Sequence, residues 1–224
     1  MRDNLGNPQF SGRPEFARGL LLLDDCEGTC NWVATGTGVN FAAAYDTAAA
    51  KTGLKGLKLS TRPLTPAADD TCTATRLMSF PESGMLVFRA AAGSPDVTKV
   101  KSIGILLQVK NGSHAYYAAL IWYPNTGLVK YIDAAGAEIT VTALTATVES
   151  LAFVQIELVV DVRGMKYLEV AFDGNRASLN GIALYDAGAF PDRDAALLLQ
   201  VVAIGANPAI AWFDNIYAGE FLNI

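Results

Sequence analysis

The sequence predicts an all-β chain: two antiparallel sheets packed face to face as a jelly-roll sandwich, preceded by an extended N-terminal arm. Three observations predict it. Apolar and polar residues alternate in short runs along most of the chain, the period of two that a half-buried strand requires. About a dozen such runs are divided by Gly, Pro, Asn and Asp turn residues at even spacing, with almost no amphipathic helix and no internal repeat. A chain of 224 residues that is 51% apolar and 17% charged can bury one large core without disulfides or metals.

Residues 1–18, MRDNLGNPQFSGRPEFAR, carry Gly6, Pro8, Gly12 and Pro14, which break any helix or long strand. This stretch reads as the arm, with Leu5, Phe10 and Phe16 as anchors for grooves of a neighbouring subunit. A floppy terminus is the alternative. Residues 19–224 read as one domain. Leu20 to Leu23 begin it, the turn Asp24-Asp25-Cys26-Glu27-Gly28 closes that first strand, and Trp32 follows. Val39 to Gly53, rich in Ala and Gly, reads as a loop. Leu57 and Leu59 alternate with Lys55 and Lys58 as a half-exposed strand would, and Pro63 and Pro66 mark a loop.

Thr71 to Met78 is β-branched and alternating, and Met85 to Arg89 follows the turn Pro81-Glu82-Ser83-Gly84. Val100 to Lys110 sets Ile103, Ile105, Leu107 and Val109 on one face, and Asn111-Gly112 turns it into His114 to Tyr123. Pro124 to Gly127 lead to Leu128 to Asp133, then Ala134-Ala135-Gly136 to Ile139 to Thr142. Two more strands, Leu197 to Ile204 and Ile210 to Tyr217, finish the chain.

The clearest hairpin is Phe153 to Asp173. Its first arm puts Val154, Ile156, Leu158 and Val160 inward and Gln155, Glu157 and Asp161 outward. Its second arm puts Leu168, Val170 and Phe172 inward and Tyr167, Glu169 and Asp173 outward. Gly174 supplies the positive φ of a reversal, so Ser178 to Tyr185 is expected to turn back beside the hairpin.

A net charge of −5 and a pI near 4.9 exclude a phosphate-backbone binder, which draws its affinity from clustered Lys and Arg. No apolar run approaches the roughly 20 residues of a membrane span; the longest, Ala195 to Ala206, contains Gln200. Low charge on an apolar chain points to surface hidden between subunits, hence a homo-oligomer. Three cysteines, Cys26, Cys30 and Cys72, do not suit a paired disulfide framework and read as reduced thiols, with a bridge between two of them as the alternative. The start lacks the pattern of a signal peptide, which predicts folding in the cytoplasm.

Phe153, Ile156, Leu158, Asp161, Gly164, Tyr167, Leu168, Val170, Asp173 and Gly174 form a strand-turn-strand run similar to the core of concanavalin A-like lectin and laminin-G-type domains. Asp24-Asp25-Cys26-Glu27-Gly28 with Trp32, and Trp212-Phe213-Asp214-Asn215-Ile216, resemble the opening and closing strands of many jelly-roll sugar-binding modules. The resemblance implies the two-sheet fold and a choice among lectins, glycosidases, adhesion modules and virus structural proteins.

The glucanases of that superfamily carry an E-x-D-x-x-E strand, which is absent here. Glu157 and Asp161 therefore read as a solvated strand face. His114, the only histidine, reads as an exposed residue at the end of a turn, and no G-x-S-x-G elbow supports a triad through it. Asp24, Asp25, Glu27 and Asp214 would meet if the first and last strands pair, either as a structural calcium site or as charges that guard a sheet edge. Tyr116 and Trp122 fall on one strand face and Tyr117 and Tyr123 on the other, either as a glycan platform or as core and interface packing.

No catalytic set is found, so the expected function is non-enzymatic: a virion component that decorates a capsid or belongs to a tail, in contact with itself and other virion proteins. A glycan-binding module is the alternative. Deleting residues 1–18 should leave the sandwich folded and weaken self-association through loss of Phe10 and Phe16. Sedimentation beside a thermal melt checks this; a truncated chain that unfolds, or that associates as well as the full one, would contradict it.

Overall fold

The computed structural model describes residues 20–37, 41–61, 69–81, 84–145 and 149–221. The expected arm, with Leu5, Phe10 and Phe16, lies outside the described residues, as do Pro63 and Pro66. In chain order the strands are β1 (Leu20–Asp24), β2 (Val33–Gly36), β3 (Ala42–Asp46), β4 (Gly56–Ser60), β5 (Thr71–Met78), β6 (Met85–Gly93), β7 (Val100–Asn111) and β8 (His114–Tyr123). They continue with β9 (Leu128–Ile132), β10 (Glu138–Thr145), β11 (Phe153–Asp161), β12 (Lys166–Phe172), β13 (Asn175–Ser178), β14 (Tyr185–Ala189), β15 (Arg193–Ala203) and β16 (Ile210–Phe221).

Among the described residues these form two 8-stranded antiparallel sheets. The first has the order β13-β12-β11-β6-β16-β4-β3, with β1 sharing the flank of β16 that β4 also pairs. The second has the order β10-β9-β8-β7-β15-β5-β2, with β14 added on the flank of β8 that β9 also pairs. The expected two-sheet jelly-roll sandwich is what the chain builds. No helix among the described residues is long and apolar enough to cross a membrane.

The alternation read from the sequence explains which side chains fill the space between the sheets. Ile103, Ile105, Leu107 and Val109 of β7 are buried, as are Val154, Ile156, Leu158 and Val160 of β11. The sheets meet through large rings: Trp122 of β8 lies 5.6 Å from Phe172 of β12, and Tyr131 of β9 lies 5.5 Å from Tyr167 of β12.

Tyr167 corrects the reading of the second hairpin arm. Leu158 pairs with Val170 and Val159 with Glu169, but Val160 pairs with Tyr167, so Leu168 is an extra residue in its strand. This β-bulge swaps the faces of the residues beyond it. Tyr167 enters the core, fully buried, and Leu168 turns outward to a small apolar cluster with Val87, Val159 and Tyr217. The Tyr167 hydroxyl has a task there. Along one flank of β8 the partner changes from β14, ending at Tyr117, to β9, starting at Leu120. The Ala119 N–H falls in the gap and donates to the Tyr167 hydroxyl at 2.9 Å, which itself donates to the Ile132 carbonyl at 2.9 Å. A buried backbone group must find such a partner.

Other differences are local. The expected Ala- and Gly-rich loop holds β3 and a turn of 3-10 helix at Thr47–Ala49, because pairing with β4 overrides the poor strand propensity of alanine. Val33–Gly36 pairs with β5 and was not expected as a strand. Asp173 and Gly174 both have positive φ, so β12 and β13 join through a tight two-residue turn. The segment beyond it stays beside the hairpin as far as Leu184: Lys166 bridges Ala183, the Leu179 N–H donates to the Leu168 carbonyl and the Leu184 N–H to that of Met165, and only Tyr185–Ala189 joins the second sheet.

Tyr167→Ala should cost about 3–5 kcal/mol in chemical denaturation, against a smaller loss for Leu168→Ala. The reverse order would restore a ladder without the bulge.

Candidate functional site

The outer face of the first sheet carries a row of side chains placed by strand register alone. Arg89 of β6 pairs with Glu157 of β11, Glu157 with Ala171 of β12, and Ala171 with Arg176 of β13. Because opposed residues in an antiparallel pair share a face, the row reads Arg, Glu, Ala, Arg across four strands. Glu157 sits between the two cations. Its Oε2 accepts from Arg89 Nε at 2.6 Å and from Arg89 Nη2, and its Oε1 accepts from Arg176 Nη1 at 3.0 Å. The same Arg176 nitrogen also donates to Glu169.

This corrects the expectation of a solvated strand face. Glu157 does point away from the core, yet only 4% of its side chain is exposed and 8% of that of Arg89. Taking a carboxylate out of water costs several kcal/mol unless opposite charge and hydrogen bonds replace the hydration. Both carboxylate oxygens are engaged by guanidinium groups. The signal in the sequence was Arg89 itself, a lone charge inside the run MLVFRAAAG: a strand that apolar has no water for a cation, so a partner had to come from an adjacent strand.

Ala171 is too small to fill the space above its strand, and a cavity of about 370 Å³ opens there, inside the roughly 300–1,000 Å³ range of small-molecule sites. Lys51, Gln155 and Asp173 join Arg89, Glu157 and Arg176 around it. The Gln155 Nε2 is buried without a hydrogen-bond partner among the described residues. Lys51 has its backbone N–H on Asp214 Oδ2 at 2.8 Å, which fixes the segment that carries the ammonium group. Beyond Gln155 the same face continues to a stacked pair, Phe153 and Trp212, with centroids 5.9 Å apart.

The acidic residues expected to meet near the first and last strands are divided among separate tasks. β1 does pair with β16, and this aims Asp24 inward. Its Oδ2 accepts from Trp32 Nε1 at 2.7 Å, the Tyr45 hydroxyl at 2.6 Å and Arg76 Nη1 at 2.8 Å, while Oδ1 accepts from the Cys26 N–H at 2.8 Å. Asp25 accepts from the Glu27 N–H at 3.2 Å. Glu27 Oε1 takes the N–H groups of Leu54 and Lys55. Asp214, fully buried, takes those of Lys51, Thr52 and Asn215. Burial pushes the Asp214 carboxyl up, and these backbone bonds oppose that shift. No three acidic, thiol or imidazole side chains among the described residues are grouped to hold a metal.

The four aromatics do not assemble into one platform. Trp122 is core, and Tyr116 packs half-buried against the core and stacks on His114 at 6.1 Å. Tyr117 and Tyr123 take the opposite face, as the alternation required. The Tyr117 hydroxyl accepts from Gln108 and its ring lies 6.4 Å from that of Tyr185. The Tyr123 hydroxyl donates to Glu138, and Lys130 Nζ stands 4.5 Å over its ring. His114, at the start of β8, is not a bare turn residue: its Nδ1 lies 2.8 Å from Asp186. All three cysteines are free; Cys26 and Cys72 are buried, and desolvation pushes the Cys72 thiol up to about 11.

No protein-family model matches this sequence, and no curated protein matches it. Solved structures do. A galectin-like-fold protein from Bacillus subtilis aligns with a TM-score of 0.56 at 9% identity, covering 92% of this chain and 97% of that one. The alginate lyase vAL-1 from Chlorella virus aligns at 0.54 and 13% identity, covering 92% and 100%. A sialidase aligns at 0.53 and 13% identity over 89% of this chain, which spans 18% of the sialidase's length. At these identities the likeness establishes the jelly-roll fold.

Glu157→Gln should destabilise the chain by about 3–5 kcal/mol, because it leaves the buried Arg89 guanidinium without its counter-charge. Equilibrium unfolding in urea checks this, and a loss near 0.5 kcal/mol would return Glu157 to a solvated surface.

Proposed function

We propose that the chain is a non-enzymatic glycan-binding module and that the basin over Ala171 seats the sugar. The observation that carries this reading is the row Arg89, Glu157, Ala171, Arg176: an open floor one small residue wide, walled by hydrogen-bonding groups already held in place. Sugars present hydroxyls on every side, and rigid charged donors and acceptors bind them without much loss of side-chain freedom. Neighbours of this fold include proteins named as a sialidase and an alginate lyase, which supports a saccharide over other small ligands.

Binding without turnover is supported by how Glu157 is held. A glycosidase needs one carboxyl to give a proton and a second to act as base or nucleophile. Two carboxylates, Glu157 and Asp173, line the basin, and Glu157 has both oxygens in ion pairs, which suits an anchor that aims two arginines. The virion role expected from the sequence depends on the arm, outside the described residues, and the fold neighbours favour the glycan reading over it.

Affinity electrophoresis of the full chain through immobilised polysaccharides should show retardation that Ala171→Leu abolishes, since the added side chain projects into the basin. Tyr123→Ala, on the opposite sheet, should bind like the parent, and no reducing ends should be released. Absence of retardation by every polysaccharide, or equal loss in Tyr123→Ala, would refute the assignment.

A further inference from the structure

The basin offers a cation and an amide donor that its own acceptors leave unmatched. Its charged walls are Lys51, Arg89 and Arg176 against Glu157 and Asp173, on a chain whose net charge is −5. With Glu169, which stands at the rim and shares Arg176, cations and anions number three each. Arg89 is turned to Glu157. Arg176, 41% exposed, gives one nitrogen, Nη1, to both Glu157 and Glu169. Lys51 makes no ion pair among the described residues, and Gln155 Nε2 is a buried donor without an acceptor. A buried donor left unmade is costly, and a turn of the Gln155 side chain toward the basin would let a ligand supply the acceptor and recover that cost on binding.

We infer that the saccharide taken by this basin is acidic, with a hexuronic-acid carboxylate placed among Lys51, Gln155 and the exposed guanidinium of Arg176. This rests on the glycan-binding reading and adds the chemical class of the ligand. A planar carboxylate suits the site: it can accept two parallel bonds from a guanidinium edge and still face an ammonium and an amide. A neutral sugar would satisfy the Gln155 amide but leave the Lys51 charge unmatched. A sulfate ester offers the same negative charge with tetrahedral oxygens, which match the fork less well.

Isothermal titration of the full chain with tetragalacturonate, a sulfated carrageenan tetrasaccharide and cellotetraose separates these cases. Tetragalacturonate should bind at least about tenfold tighter than cellotetraose, the scale of one charge-assisted contact. Its affinity should fall as salt is raised from low to physiological ionic strength. Lys51→Met should lose about tenfold for tetragalacturonate and clearly less for cellotetraose, with the thermal melt unchanged. Equal affinity for the uronate and the neutral sugar, or an unchanged Lys51→Met, would overturn the acidic-sugar assignment while leaving a glycan-binding module standing. Preference for the carrageenan oligosaccharide would overturn the carboxylate. Binding of none of the three, with no retention on any polysaccharide, would sink the glycan reading itself.

Discussion

The carboxylate of Glu157 is the constraint around which one whole face of the sandwich is arranged. It lies inside a sheet, two strands in from the β13 edge, and its charge had to be answered from strands on either side. Arg89 answers from β6 and Arg176 from β13, so three of the four strands that bear the row are tied by ion pairs as well as by the backbone ladder. A buried charge with its partners in place adds little net stability compared with an apolar triplet. What it does confer is position: two guanidinium groups are held at fixed orientation beside an alanine floor, which an apolar patch of the same size would not provide.

The other face of the same sheet depends on a different device. One extra residue, Leu168, in the ladder between β11 and β12 sends Tyr167 inward, where its hydroxyl reaches into the opposite sheet. Two sheets in contact only through apolar side chains can slide past one another at small cost. A hydroxyl bonded to the Ala119 N–H and the Ile132 carbonyl fixes them, and it does so where the flank of β8 passes from one partner strand to another. The bulge confines its disturbance to the hairpin end, so Val170 and Phe172 keep their core positions and Ala171 keeps its place beneath the basin.

A third device organises the irregular segments between β1 and β4. Asp24, Glu27 and Asp214 each accept backbone N–H groups from turns that have no ladder of their own. Asp24 shows the economy of this: four donors, from a turn, two rings and Arg76, converge on one carboxylate. These bonds hold the segment at Lys51 and Thr52 against β16, and thereby carry Lys51 to the rim of the basin. Asp214 thus bears on the candidate site indirectly, by placing the backbone that brings a cation there.

Strand period and turn chemistry were legible in the sequence because they are local. Alternation along β7 and β11 fixed which residues are buried, Asn111-Gly112 and Asp173-Gly174 fixed two reversals, and the number of short strands fixed a two-sheet sandwich. Alternation also told that Trp122 and Tyr123 part company across their strand. Lateral neighbours were decided by the tertiary structure alone, since strand order joins residues as distant as Arg89 and Glu157, and no local rule carries that information. For that reason Glu157 looked solvated, Tyr167 looked exposed, and the basin with Lys51, Gln155 and Arg176 was invisible until β6, β11, β12 and β13 stood side by side. A charge in a strand shows only that a partner must exist; which residue it is depends on register, and register is set by the packing of the whole sheet.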